Sequence, residues 1–162
     1  MGIFDFLKKK ENTVADEDAV YLQAVPITRK RMDLLWLDPP RLAQVQQLVA
    51  QHGGAVTVRM GDNSELRDHE ITQEDITWAK QIEPVVDRAF AAVRNNDHRG
   101  SIRYYKRALE LAPGCDLFLM SIGSGYAFLG QKKKALAYLE RAAAISPGNS
   151  RIRNNLNEVR RM

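Results

Sequence analysis

Two passages of the chain nearly repeat each other 34 residues apart. Ser101–Pro113 reads Ser-Ile-Arg-Tyr-Tyr-Lys-Arg-Ala-Leu-Glu-Leu-Ala-Pro, and Ala135–Pro147 reads Ala-Leu-Ala-Tyr-Leu-Glu-Arg-Ala-Ala-Ala-Ile-Ser-Pro. Ser101 aligns with Ala135, Tyr105 with Leu139, Ala108 with Ala142 and Pro113 with Pro147. Small and apolar residues at helical spacing put one buried stripe on each passage, and a proline can stop each helix. Units of this length bury their apolar faces only against neighbours, so the chain has to fold as a stack.

The fuller copy runs over 116–149, with Leu119, Ile122-Gly123, Tyr126, Gly130, Ala135, Leu139, Ala142 and Pro147. Gly123 and Ala135 are small where two antiparallel helices must approach, because packed interiors resist extra methylenes. Gly130 follows an apolar run and supplies the positive φ that ends a helix. The weaker copy, 82–115, has Ala89 and Ala92 in place of Gly and Tyr, Asn96 in place of the turn glycine and Ser101 in place of alanine. Asn is the next-best residue for a left-handed turn. The pattern resembles the tetratricopeptide repeat, a helix–turn–helix unit. That resemblance implies an all-α fold, a helical hairpin stack (an α-α superhelix) over 82–162. Its parts are repeats 82–115 and 116–149 and a capping helix at 150–161. Ile152, Leu156 and Val159 are spaced as one buried stripe for that helix, and Ser150 is positioned to cap it.

The resemblance also implies where function lies. In this family the first helix of each repeat lines a concave surface that takes an extended or helical peptide. The groove positions fall on Val86, Phe90, Val93 and Arg94 in the first repeat, and on Met120, Ser124, Ala127 and Phe128 in the second. In the closing helix they fall on Asn154 and Glu158. The floor is apolar and the edges are polar. Val86 and Phe90 stand where the carboxylate-clamp subgroup carries Lys and Asn, so capture of a chaperone C-terminus is not expected. The expectation is a protein–protein interaction module that holds a peptide or amphipathic segment of a partner as an adaptor or assembly factor, with methionine offering an adaptable surface. One alternative is a secretion or assembly chaperone that shields an apolar client segment. Another is that residues 1–30 or a second copy of the chain, in a homo-oligomer, cover the patch, since apolar patches are seldom left bare.

Charge is uneven. Residues 1–81 carry 10 Lys/Arg against 13 Asp/Glu, and residues 82–162 carry 14 against 7. A solvated helical face accounts for the basic half. The sharper alternative is a nucleic-acid-binding module using Arg99, Arg103, Lys106, Arg107 and Lys132–Lys134. Basic residues interleaved with exposed aromatics would favour it; only Tyr104, beside Arg103 and Lys106, fits, so nucleic acid ranks below protein as a partner.

Two repeats are fewer than the three a stack normally needs, so something must cover the first. Residues 19–81 are read as that cap, with helices near 39–52 and 73–82 and room for a short strand. Ala19–Arg31, containing Pro26, reads as extended or loop. Asp38-Pro39-Pro40 reads as a helix start, followed by a stripe of Leu42, Val45, Leu48 and Val49 and a stop at Gly53-Gly54. Ala55–Met60 alternates as a short strand would, and Gly61–Asp68 reads as a polar loop. Thr72 and Asp75 resemble a capping box. Pro84 is expected in the first turn of a new helix. Trp78, backed by Trp36, is the expected lid on the first repeat. Residues 1–18 read as a flexible segment, and Ile3, Phe4, Phe6, Leu7 and Lys8–Lys10 give residues 1–10 the makings of a weak peripheral membrane contact.

No enzyme is expected. His52, His69 and His98 have no metal-ligand spacing, so no metal and no cofactor are predicted. Ser124 between two glycines has no strand before it and is no nucleophile elbow. Cys115 has no partner for a disulfide, which with the absence of a secretory or membrane-spanning run points to a cytoplasmic, reducing location.

Overall fold

The computed structural model describes residues 18–22, 27–62 and 65–162. Residues 18–22 are helical. Next come α1 (Arg29–Leu35), α2 (Pro39–Gln51), an antiparallel hairpin of β1 (Ala55–Asp62) and β2 (Glu65–Thr72), α3 (Gln73–Arg94), α4 (His98–Leu111), α5 (Asp116–Phe128), α6 (Lys132–Ile145) and α7 (Ser150–Arg161). The fold is an all-α hairpin stack with one small sheet beside it.

The repeat half follows the spacing of its residues. Ala135, Leu139 and Ala142 on α6 are fully buried, as is Ala108 on α4. Gly123 lies against α6 so closely that a Cβ there would stand 2.7 Å from Leu139 Cγ. Tyr126 packs on Tyr138, ring centroids 5.7 Å apart. Gly130 takes φ +74°, and Asn96 takes φ +55° at the matching turn of the first repeat. Ile152, Leu156 and Val159 bury the stripe of α7. Its N-cap is Asn149 rather than Ser150, which is the first helical residue; the Asn149 side chain accepts from the backbone N–H of Arg151 and Ile152.

The N-terminal half departs from expectation in four places. Ala19–Arg31 is neither extended nor all loop: 18–22 is helical and α1 begins at Arg29 behind a Thr28 cap. The elements are pinned by partners distant in sequence: Ile27 N–H donates to Pro113 O at 2.7 Å, and Lys30 reaches Asp75 at 2.8 Å. Within Gly61–Asp68, expected as a loop, Gly61–Asp62 and Glu65–Asp68 belong to the strands, which pair through Gly61 and Leu66 and bury Met60 and Ile71. Pro84 does not open a helix; it lies inside α3, which continues unbroken from the Thr72–Asp75 capping box to Arg94. Residue 82, where the repeat was expected to begin, is therefore inside that helix. Trp36 is not part of a buried lid, being 46% exposed.

Trp78 is buried in α3. Its Nε1 donates to the carbonyl of Leu111 at 2.6 Å, satisfying one of the acceptors that the end of α4 leaves open. Ile76, Ala79 and Ile82 join the same core as Ala89, Tyr105 and Phe118. Of the segment 1–18, Asp18 is buried; residues 1–17, including the suggested membrane contact at 1–10, lie outside the described residues.

Candidate functional site

An apolar cleft opens where the N-terminal helices meet α3. Its volume is about 210 Å³, and its walls include Trp36, Leu37 and Leu42 on one side and Ile82, Val86 and Phe90 on the other. Asp38 caps α2 through the Arg41 N–H at 2.8 Å, with Pro39 in the first turn, so the chain turns sharply just after Trp36 and Leu37. Val86 is 8% exposed and forms floor; Phe90 is 41% exposed and forms wall, its ring edge-on to Tyr105 at 6.3 Å. Glu83 and Asp87 also line the cleft, one turn apart on α3, and both are exposed. The result is a hydrophobic slot with an acidic lip.

The other expected groove residues are distributed differently. Val93 is 48% exposed and Arg94 is exposed one turn beyond the cleft. Met120 is buried, so it supports the surface from below. Ser124 is half-buried and its Oγ accepts from Asn155 Nδ2 at 3.1 Å, which ties α5 to α7. Ala127 is half-buried, while Phe128 is largely exposed and stacks on His98 at 4.4 Å, with the planes 4° apart. Asn154 and Glu158 are exposed on α7. The structure thus gathers Val86 and Phe90 into a cleft and leaves Phe128 on the His98 ring. Trp36, Leu37 and Leu42 were missed as wall residues. Trp36 and Leu37 belong to the mostly apolar stretch Met32–Leu37 and Leu42 to the stripe of α2, but nothing local says that either faces α3.

The basic residues are partly engaged within the chain. Arg99, Arg103, Lys106 and Arg107 share a concavity with Tyr21 and Glu110. Arg103 lies on the Tyr104 ring, its guanidinium 5.1 Å from the centroid, so that aromatic is covered by its neighbour. Lys106 and Lys134 reach Asp18, and Lys132 donates to the carbonyls of Arg160 and Met162 at the end of α7. Among the described residues no group of three His, Cys, Asp or Glu is arranged to hold a metal ion, and no helix is long and apolar enough to cross a membrane.

Cys115, at the start of α5, is completely buried, and that burial pushes its thiol pKa up to about 12. A thiol-reactive aromatic disulfide reagent at pH 8 should leave the native protein unlabelled and react with one equivalent in denaturant. Stoichiometric labelling of the native chain would contradict this burial.

Comparison with known proteins agrees with this architecture. The family model for the tetratricopeptide repeat matches residues 118–149. Among solved structures, the C-terminal TPR-containing domain of a Plasmodium falciparum protein described as FK506-binding is similar, with a TM-score of 0.50 at 18% identity over 75% of this chain and 74% of that one. At that identity the likeness speaks for the fold alone. No curated protein sequence matches the chain.

Proposed function

We propose that this chain, which has a tetratricopeptide-repeat fold with the repeat model matched at residues 118–149, is a protein-interaction scaffold that holds an amphipathic segment of a partner protein in the cleft between α1, α2 and α3. The observation that carries the reading is the pairing of two half-exposed rings, Trp36 and Phe90, across an apolar floor made by Val86. Large aromatics at the centre of a concave apolar surface are the side chains around which binding energy concentrates. The acidic lip sets the chemistry of the occupant: apolar residues inward, and Lys or Arg at the position that meets Glu83 and Asp87. Val93 and Phe128 extend the contact along the stack for a longer partner, and the role of adaptor or assembly factor follows from holding one chain while the rest of the surface stays free.

A peptide-display library panned on the immobilised full chain tests this. Enriched sequences should be amphipathic with basic residues on the polar face. Their binding should fall at least tenfold in Phe90→Ala, and further when Phe128→Ala is added, with helicity unchanged. Sequences that bind the Trp36→Ala and Phe90→Ala variants as well as the parent would exclude the cleft.

A further inference from the structure

A second surface is built around a carboxylate that the chain itself supplies. Asp18 is 4% exposed. Its oxygens accept a hydrogen bond from Tyr138 Oη at 2.5 Å and pair with Lys106 Nζ at 2.7 Å, with Lys134 Nζ at 3.6 Å. Lys106 also donates to Tyr126 Oη at 2.8 Å. The receiving groups all belong to the repeats: Lys106 to α4, Tyr126 to α5, Lys134 and Tyr138 to α6. Among these groups the carboxylate alone comes from outside the repeats, from the helical residues 18–22.

This pocket is made for an anion. Two partly buried ammonium groups and a buried phenol converge on one point, and like charges brought together there are offset by a counter-charge between them. Burial alone would push the Lys106 pKa down; its hydrogen bonds to Asp18 and Tyr126 outweigh that and hold it above the usual lysine value. Burial likewise opposes ionisation of Asp18, yet Lys106 and Tyr138 keep its pKa below the ordinary value. Both partners are therefore charged, with Tyr138 and Lys106 on one oxygen of the carboxylate and Lys134 facing the other.

Tyr21 and Leu22 pack on the core, whereas Val20 is 68% exposed. Tyr21, one turn after Asp18, lies with its ring 5.5 Å from Lys106 Nζ and donates from its hydroxyl to Glu110 at 3.3 Å. The pocket thus reads a carboxylate followed three residues later by an aromatic ring. We propose that Lys106, Lys134, Tyr126 and Tyr138 form a receptor for an acidic peptide helix of the pattern Asp-x-x-Tyr, that the chain's own Asp18 and Tyr21 occupy it in cis, and that the corresponding segment of a partner protein takes the pocket when 18–22 is displaced. The pocket lies on α4, α5 and α6 and the cleft on α1, α2 and α3, so the two proposals stand or fall separately.

The test uses the full chain and a fluorescein-labelled peptide Ala-Asp-Glu-Asp-Ala-Val-Tyr-Leu-Gln, which copies residues 15–23, read by fluorescence anisotropy. Asp18→Asn should bind the peptide at least tenfold more tightly than the parent, whose own aspartate competes. Binding to Asp18→Asn should fall at least tenfold when the peptide carries Asn at the position copied from Asp18, and should vanish when Lys106→Met is added to the protein. Circular dichroism verifies that each variant is folded. If Asp18→Asn is not, a protease site placed between Leu22 and Ile27 and cleaved after folding frees the pocket for the same titration, with the same gain expected. Equal affinity of parent and opened protein, indifference to Lys106→Met, or no binding to the opened pocket would each overturn the proposal.

Discussion

Trp78→Ala is expected to lower the unfolding free energy by about 3–5 kcal/mol, the range for truncating a large buried aromatic. The indole is 6% exposed and stands among Ile76, Ala79 and Ile82 on the half of α3 that precedes the repeats. Its Nε1 donates to Leu111 O at 2.6 Å, and the Arg31 guanidinium lies 5.1 Å from its ring centroid. The substitution therefore opens a cavity at the seam between the N-terminal region and α4 and removes a hydrogen bond, which adds about 1 kcal/mol. Urea unfolding followed by far-ultraviolet circular dichroism measures the loss without relying on the fluorophore that is removed. A single transition at a lower midpoint is expected, because α3 runs through both parts. Trp36→Ala, by contrast, should cost less than about 1 kcal/mol, since its ring is nearly half exposed. If Trp78→Ala melted like the parent, residues before the first repeat could not be its cap.

The second large effect is expected at Gly123. Alanine in place of glycine inside an exposed helix usually stabilises by about 1 kcal/mol through helix propensity. Here the new methyl would lie 2.7 Å from Leu139 Cγ and 3.2 Å from Ala135 O. Leu139 is fully buried, so it cannot swing into solvent, and overpacking a core costs about 1–3 kcal/mol. The overpacking term wins, and Gly123→Ala should destabilise. A double-mutant cycle with Leu139→Ala identifies the cause: once the Cγ that clashes is gone, Gly123→Ala should cost little further, whereas additive effects would mean that the helices do not meet there. The parallel change at Gly130 would lack any clash, because nothing lies within 4 Å of a Cβ there, and would act through its φ of +74° alone.

The residue pattern alone determined the repeat half. Ala108, Ala135, Leu139 and Ala142 recur at the spacing of one helical face, and Gly130 and Asn96 mark turns by a backbone conformation few other residues adopt easily. Such signals are local or periodic, so they survive without tertiary knowledge. The candidate cleft was legible only in part. Val86 and Phe90 could be placed on the right helix, but the wall opposite them comes from Trp36, Leu37 and Leu42. Their address depends on how α1 and α2 fold back onto α3.

The tertiary structure decided the rest, where a residue's environment is set by a distant partner. Asp18 read as the end of a flexible segment, yet its carboxylate is buried where Tyr138, 120 positions away, donates to it. Pro84 read as a helix start, yet α3 runs through it, because Ile76, Ala79 and Ile82 before it and Val86 and Ala89 after it share one core. The physical reason is the same in both. Propensity and spacing act over one or two helical turns, whereas burial of a charge or continuation of a helix is settled by the free energy of contacts the chain makes only after it has folded.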